Sequence, residues 1–170
     1  MFSCFLIAAQ LTLLADSPAE QLAKSKIKWA DAKTKNGNNY NYTVSFRSFV
    51  GFGHTTTVFI ENGKVVKRQF EAWDAPKAPP LPGVAPIPSK TWVEEGDQIG
   101  KHQEGANAKT LDELYDTAEK LVNTRLENFE KLYLQMDKAG LLRHAFIVDT
   151  RIADDAPRKG VAIDNILFKK

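Results

Sequence analysis

The sequence of 170 residues lacks most of the features that narrow a function quickly, and it has only one cysteine, Cys4. A single cysteine excludes an intramolecular disulfide and a zinc site built from several cysteines. The formal net charge of +2 and the dispersed Lys and Arg residues do not indicate binding to nucleic acid. Hydrophobic residues at 43% and charged residues at 26% are typical of a globular protein, and the length suits one domain.

The motifs of common enzymes and cofactor-binding sites are also absent. The chain contains no Gly-x-Ser-x-Gly and no His-Glu-x-x-His sequence. The stretch Gly51-Phe52-Gly53 has neither the third glycine nor the following helix start of a phosphate-binding loop. We therefore expect no cofactor, and an enzymatic function is disfavoured.

The longest apolar run, from Phe2 to Ala15, is too short to span a bilayer and ends at Asp16-Ser17-Pro18. Its length and the small residues near Ala15 are typical of a secretory signal, although no Lys or Arg precedes it. We expect residues 1–15 to be a signal peptide, the protein to be periplasmic or extracellular, and no transmembrane segment to be present. The alternatives are a buried N-terminal strand or helix, or a start codon placed too far downstream.

A capping box predicts where the first helix begins. Ser17 is suited to the N-cap and Pro18 to the first helical position. Glu20 is suited to accept a hydrogen bond from the backbone N–H of Ser17. Apolar residues at helical spacing continue to about Lys35, and Asn36-Gly37-Asn38 ends the helix.

A second capping box, Thr110 with Glu113, predicts the start of a longer helix. Apolar residues from Leu111 onward follow the i, i+3, i+4, i+7 spacing of one helical face. The pattern predicts that this helix runs to about Met136, which would make it the longest element of the chain. Its single apolar stripe needs a sheet to pack against.

Alternating apolar and polar residues predict five strands. Asn62-Gly63 between two of them indicates a tight hairpin, because both residues readily take positive φ. The first three strands are expected to form a meander. The predicted strands cover residues 40–49, 54–60, 65–73, 142–149 and 161–168.

A proline-rich segment separates the third strand from the long helix. Proline cannot donate to a β-ladder, so residues 74–109 are predicted to be an extended, irregular connection anchored by side chains such as Trp92. The sequence thus predicts one α+β domain over residues 17–170, in the order α-β-β-β-loop-α-β-β. We expect an antiparallel sheet of about five strands with one long and one shorter helix packed on one face.

Several of these features together resemble a family of small bacterial secreted proteins and lipoproteins that is catalogued as a domain of unknown function. The resemblance covers about residues 25 to 168, and it implies export from the cell and supplies no activity. The features are Trp29 on the first helix, the strand start Tyr40-Asn41-Tyr42, the hairpin at 62–65, the helix start at 110–115 and the strand end Ile147-Val148-Asp149 before an acidic loop.

The three histidines, His54, His102 and His144, show no metal-ligand spacing, and the simplest interpretation is three unrelated surface or rim residues. The alternative brings His54 and His144 together across the sheet as zinc ligands or an acid–base pair, with Asp149 as the orienting carboxylate. The protein would then be a small hydrolase or another metal-dependent enzyme.

Asp149, Asp154 and Asp155 flank a short loop, and their oxygens are suitable ligands for Ca²⁺. Basic residues in the same loop, including Arg151, roughly cancel their charge. A polar hairpin with internal ion pairs is therefore favoured over a calcium site, and we predict no metal.

The remaining candidates are four aromatic residues at predicted loops and strand ends: Phe49, Phe52, Trp73 and Trp92. Exposed aromatic residues in loops often mark binding sites, so these residues are candidates to bind a protein or a small apolar ligand. The alternative is that they fold back and cover the open face of the sheet. The sequence predicts an exported, non-enzymatic binding or interaction module, or else a structural domain whose long loop contacts a partner.

Overall fold

The computed structural model describes residues 15–75, 88–152 and 159–169, which form an α+β structure. A five-stranded antiparallel sheet has the strand order β4-β3-β2-β1-β8, and a three-stranded antiparallel sheet has the order β5-β6-β7. None of the helices in these residues has the length and hydropathy that a membrane-spanning helix requires. The elements are α1 (Pro18–Asn36), β1 (Tyr40–Arg47), β2 (Gly53–Glu61), β3 (Lys64–Trp73), β4 (Lys90–Glu95), a 3₁₀ turn (Gly96–Gln98), α2 (Leu111–Val122), β5 (Glu130–Met136), β6 (Leu142–Asp149), β7 (Lys159–Ala162) and β8 (Asn165–Phe168).

The prediction for the first helix is confirmed at both ends. The Ser17 side chain accepts a hydrogen bond from the Glu20 N–H, and the Glu20 carboxylate accepts one from the Ser17 N–H at 2.7 Å. Gly37 ends α1 with a left-handed φ of 64°. Such reciprocal capping satisfies backbone donors that the first helical turn leaves unpaired.

The predicted hairpin and meander are also confirmed. Asn62 and Gly63 join β2 to β3 with φ values of 48° and 74°. The irregular connection predicted for residues 74–109 is wrong in part, because Lys90–Glu95 forms β4 and pairs with β3. The strand was missed because one of its buried positions is Glu94, and a buried carboxylate breaks the apolar–polar alternation. Most of the prolines lie in residues 76–87, outside the described residues.

The long helix predicted from Thr110 to Met136 is wrong in its second half. The helix α2 ends at Val122, and Glu130–Met136 is the strand β5. Leu132, Leu134 and Met136 alternate with exposed neighbours along this strand. Residues four apart share a face in both a helix and a strand, so Leu132 and Met136 fitted the helical stripe although Leu134 between them did not.

The strand predicted over Val161–Phe168 is two strands that belong to different sheets. The β7 strand pairs with β6, and β8 pairs with β1. The change occurs at two neighbouring residues: the Ile163 N–H donates to the Arg143 carbonyl, and the Asp164 N–H donates to the Thr43 carbonyl. The first sheet has the predicted number of strands but a different membership, since β4 belongs to it and β6 does not.

The core lies between the helices and one face of the first sheet, here called the inner face. The Trp29 ring of α1 meets the Tyr40 ring edge-on, with 5.0 Å between centroids, and stacks on Tyr115 of α2 at 6.2 Å. The Tyr115 hydroxyl accepts a hydrogen bond from the Leu142 N–H at 2.9 Å, which joins α2 to the second sheet. The opposite, outer face of the first sheet is not covered by either helix.

Candidate interaction site

A row of five rings crosses the inner face of the first sheet. Phe46, His54, Phe70 and Trp92 come from β1, β2, β3 and β4 in turn, and His102 follows from the loop after β4. The distances between successive ring centroids are 5.6, 5.4, 5.0 and 4.4 Å. Side chains on one face recur every second residue, so the strand register brings these rings together. We call these five residues the aromatic row.

One half of the aromatic row is buried beneath residues 99–109, here called the covering loop. The Ala106 N–H donates to the Thr56 hydroxyl at 3.0 Å, and Gly105 lies directly above the sheet. A Cβ on Gly105 would overlap Thr56 and come within 2.8 Å of the Phe70 ring. The loop therefore approaches the sheet at a distance that only glycine permits.

A buried ion pair fixes the covering loop to the sheet. Arg68 Nε and Glu94 Oε2 are 2.9 Å apart, and the two side chains are 2% and 0% exposed. The remaining Arg68 nitrogens donate to the carbonyls of His102 and Ala106, each at 3.0 Å. The Glu94 carboxylate accepts hydrogen bonds from the N–H groups of Gly100 and His102. A buried pair with this many additional hydrogen bonds holds a loop in one position.

The ionisation of Glu94 depends on this arrangement. Burial alone opposes the charged form of Glu94, but hydrogen bonds from the backbone of His102 and Gly100 and from the His102 side chain outweigh it. Together with the Arg68 guanidinium they hold the pKa of Glu94 below its usual value. Glu94 is therefore a charged structural group at neutral pH.

The other end of the aromatic row is open. Phe46 and Phe52 are about half exposed with ring centroids 6.0 Å apart, Val50 is mostly exposed, and Phe49 is fully exposed. We call these four residues the apolar tip. The turn that presents them is closed by the Ser48 N–H, which donates to the Phe52 carbonyl at 2.9 Å.

His54 lies at the boundary between the buried and the open halves of the row. Its ring is held between Phe46 and Phe70, and its Nδ1 is buried without a hydrogen-bond partner among the described residues. Burial lowers the pKa of His54, and the opposing effect of Glu104 is smaller. A neutral imidazole between two phenyl rings extends the apolar surface.

A cleft of about 200 Å³ lies between the two sheets, and its lining includes Val44, which is two residues before Phe46 on β1. Its lining includes Tyr42 and Val44 of β1, residues 160–162 of β7, and Leu114 of α2. The covering loop forms another wall, to which the Tyr42 hydroxyl donates a hydrogen bond at the Lys109 carbonyl. The lining is thus mixed: Tyr42, Val44 and Leu114 contribute apolar surface, and Asn107, Lys109 and Thr117 contribute polar groups.

The structure separates the four aromatic residues predicted to bind. Phe49 and Phe52 belong to the apolar tip, whereas Trp92 is buried in the aromatic row under His102. Trp73 lies on the outer face, where its indole N–H donates to the Gly51 carbonyl at 3.1 Å. The alternative that these side chains cover the outer face is wrong for Phe49, Phe52 and Trp92. Phe46 and Phe70 were not among the predicted site residues, and His54 was considered only as a metal ligand or acid–base residue, because their place in the aromatic row depends on the strand register.

The three residues of the hydrolase alternative lie in two sheets. His54 is on β2, and His144 and Asp149 are on β6. Five positions along a strand place His144 and Asp149 about 16 Å apart and on opposite faces. The Asp149 carboxylate is instead paired with Arg151 at 2.7 Å, and hydrogen bonds from the Arg151 side chain and backbone lower the pKa of Asp149.

No metal centre is found in residues 15–75, 88–152 and 159–169, where no three His, Cys, Asp or Glu side chains are placed to share an ion. Asp154 and Asp155, the other two candidates for calcium, lie outside the described residues. Known proteins add no information, since no family model, no curated protein and no solved structure matches this chain. Conclusions about function therefore depend on the geometry of the apolar tip, the aromatic row and the cleft.

Proposed function

We propose that this protein is a non-enzymatic binding module that holds an apolar segment of a partner protein against the apolar tip. The observation that supports this most directly is the exposure of Phe46 near the end of β1 and of Phe49, Val50 and Phe52 in the turn that follows. Single exposed apolar residues are common on protein surfaces, but a group of adjacent ones is typical of interaction sites.

The packing of the apolar tip against buried rings of the sheet favours the same proposal. The rings of Phe46 and His54 continue into the buried part of the aromatic row, which the Arg68–Glu94 pair and the covering loop hold in place. A surface that is rigid before binding loses little conformational entropy when a partner docks. Aromatic residues backed in this way commonly contribute most of the binding energy of an interface.

The chemistry of the described residues gives no comparable support to the hydrolase alternative. The His54 side chain has phenyl rings as neighbours and a lowered pKa, and the Asp149 carboxylate is engaged by Arg151. A catalytic acid or base needs a partner within hydrogen-bond distance, and His144 and Asp149 are about 16 Å apart.

Export to the periplasm or the cell exterior is part of the proposal. It is inferred from the apolar run of residues 1–15 and from the resemblance to a family of bacterial secreted proteins. An apolar tip that binds a protein partner is compatible with either compartment, because the interaction needs no cofactor and no disulfide.

A selection from a random heptapeptide library, displayed on phage and presented with the immobilised full chain, tests the proposal. Enriched peptides are then measured against the double variant Phe49→Ser/Phe52→Ser, and against Ile27→Gln as a control on an exposed apolar residue of α1. We expect the double variant to bind at least about tenfold more weakly and the control to bind as the original chain does. Failure to enrich any peptide, or equal binding by the double variant, contradicts the proposal.

A further inference from the structure

The half of β1 nearest the apolar tip has an unpaired edge. The β8 strand pairs with Tyr40–Thr43 and does not continue along the second half of β1. In the part of the chain that the structure describes, no other strand lies on that side, since the neighbours of β1 are β2 and β8 alone. Among the described residues, the edge of β1 from Val44 to Arg47 therefore has no paired strand.

The backbone groups of two residues point toward this open edge. The carbonyls of Asn39 and Thr43 accept hydrogen bonds from the β8 side, from Lys169 and Asp164. Backbone direction alternates along a strand, so the next groups with the same orientation belong to Ser45 and Arg47. The N–H and C=O of Ser45 and the N–H of Arg47 thus have no backbone partner in residues 15–75, 88–152 and 159–169, and they face the side on which a strand could be added.

The open edge and the cleft have a common origin. After β7, which pairs with β6 in the second sheet, the chain crosses at Ile163 and Asp164 to the first sheet and reaches β1 at Thr43. The β7 strand therefore diverges from Val44 instead of running beside it. The cleft of about 200 Å³ lies between these two strands, with the covering loop and α2 as its other walls.

We propose that an extended peptide segment of the partner protein pairs with Ser45–Arg47 and adds a strand to the first sheet. This inference rests on the proposed function and specifies how the partner is bound. The segment would occupy the position that β8 would have if it continued along β1. Its backbone supplies the groups that complete the hydrogen bonds of Ser45 and Arg47, as in other cases of strand addition at a sheet edge.

The two faces of the sheet define the sequence that such a segment needs. A side chain opposite Val44 enters the cleft, and the side chain two residues further along lies on Phe46 and Phe52. The side chain between them lies on the outer face, beside Ser45 and Thr55, whose hydroxyls are 2.9 Å apart. The structure thus favours an apolar–polar–apolar tripeptide.

The size of the cleft limits the residue that enters it. A dry protein cavity of about 150 Å³ accommodates benzene, so a cleft of about 200 Å³ accepts a Leu or Phe side chain. Tyr42, Val44 and Leu114 form an apolar part of the lining, which an apolar side chain would contact, while Asn107, Lys109 and Thr117 are polar. The backbone of the segment would supply affinity and the cleft would supply specificity.

The substitution Ser45→Pro tests strand addition directly. Proline removes the N–H that points to the open edge, while the hydrogen bonds between β1 and β2 are made by other residues. Ser45→Ala is the matched control, because it removes the hydroxyl contact with Thr55 but keeps the N–H. With heptapeptides enriched on the full chain, we expect Ser45→Pro to weaken binding at least about tenfold and Ser45→Ala to change it less than about threefold.

The outcomes distinguish this inference from the proposed function. Peptides that require Phe49 and Phe52 but bind Ser45→Pro and the original chain equally would overturn strand addition and leave the proposed function in place. Peptides that require neither site would overturn both. A dimer of the full chain that Ser45→Pro dissociates would overturn the inference as well, because a second copy would then occupy the edge.

Hydrogen exchange gives a second measurement that does not depend on the folding of the proline variant. The amides of Ser45 and Arg47 in the original chain are compared with and without a saturating enriched peptide. We expect exchange of both amides to slow by at least about tenfold, and the Val44 amide, which points to β2, to change little. Unchanged exchange at Ser45 and Arg47 overturns strand addition.

Discussion

Arg68 and Glu94 lie opposite each other on β3 and β4, with 2.9 Å between Nε and Oε2, and both side chains are buried. Each also bonds to the backbone of the covering loop, so one ion pair joins two strands and a loop. The pair lies beside the aromatic row on the same face of the sheet, with the Arg68 guanidinium 4.8 Å from the centroid of the Trp92 ring. The support of the proposed binding surface is therefore electrostatic as well as apolar.

Replacing Glu94 with Gln is expected to destabilise the fold strongly. The variant leaves the buried Arg68 charge without a counter-charge, a change that typically costs about 3–5 kcal/mol. Urea unfolding followed by circular dichroism measures the loss. Glu104→Gln is the control, because it removes an ion pair with Lys90 in which both side chains are exposed, and it should leave the midpoint nearly unchanged. Equal effects of the two substitutions would contradict the prediction.

The stability of the protein should fall at acidic pH, in part through Glu94. The pKa of Glu94 is lower in the folded chain than its ordinary value of 4.5, so below that pH the unfolded chain binds more protons than the folded one. The contribution of Glu94 is present above about pH 4.5 and is lost as the pH falls through the lower, folded-state pKa. The difference in unfolding free energy between the original chain and Glu94→Gln should shrink between pH 7 and pH 3. A difference that does not change with pH would contradict this assignment.

Alanine substitutions at two glycines of the covering loop can distinguish the cost of backbone strain from the cost of overpacking. Gly100 and Gly105 have φ values of 86° and 75°, but only Gly105 would bring a Cβ against Thr56 and Phe70. Gly100→Ala should cost about 1 kcal/mol for the left-handed backbone. Gly105→Ala should cost about 3 kcal/mol, because overpacking is added to the same strain. Thermal unfolding compares the two, and equal costs would show that the loop can move away from Phe70.

Local signals in the sequence were enough to predict several elements of this fold. Ser17 and Glu20 determine the start of α1, and Asn62-Gly63 determines the β2–β3 hairpin, within a few residues. The end of α2 was not predictable in the same way, because Leu132 and Met136 fit both a helical and a strand period. The sequence signal for the end of α2 was Asn123, whose side chain donates to the Glu119 carbonyl at the C-terminus of the helix.

Features that depend on distant pairing were not predictable from one sequence. The strand β4 has a buried carboxylate, which its pairing with Arg68 and its hydrogen bonds from Gly100 and His102 make tolerable. The division of residues 159–168 between two sheets depends on which strands lie beside them. For the candidate site, Phe49 and Phe52 were identified as aromatic residues near glycines. The aromatic row and the open edge of β1 needed the register of β1, β2 and β8.

The Tyr115 hydroxyl should contribute to stability because it joins three elements. It lies 2.8 Å from the Ser25 hydroxyl of α1 and accepts a hydrogen bond from the Leu142 N–H of β6. Tyr115→Phe leaves both buried groups without this partner and should cost about 1–3 kcal/mol. Tyr133→Phe, at an exposed position on β5, should change the unfolding free energy by no more than about 0.5 kcal/mol. A cost below that limit for Tyr115→Phe would contradict the prediction.

The apolar tip should be important for binding and nearly irrelevant to stability. Phe49 has no covered surface to lose, so Phe49→Ser should change the unfolding free energy by no more than about 0.5 kcal/mol. Phe70→Ala, in the buried half of the aromatic row, should cost about 3–5 kcal/mol. For the peptide affinity of the folded molecules, we expect Phe49→Ser to have the larger effect of the two substitutions. It should weaken peptide binding about tenfold. Measurable destabilisation by Phe49→Ser would show instead that Phe49 packs against the protein itself, and the tip would then be part of the fold and not a surface for a partner.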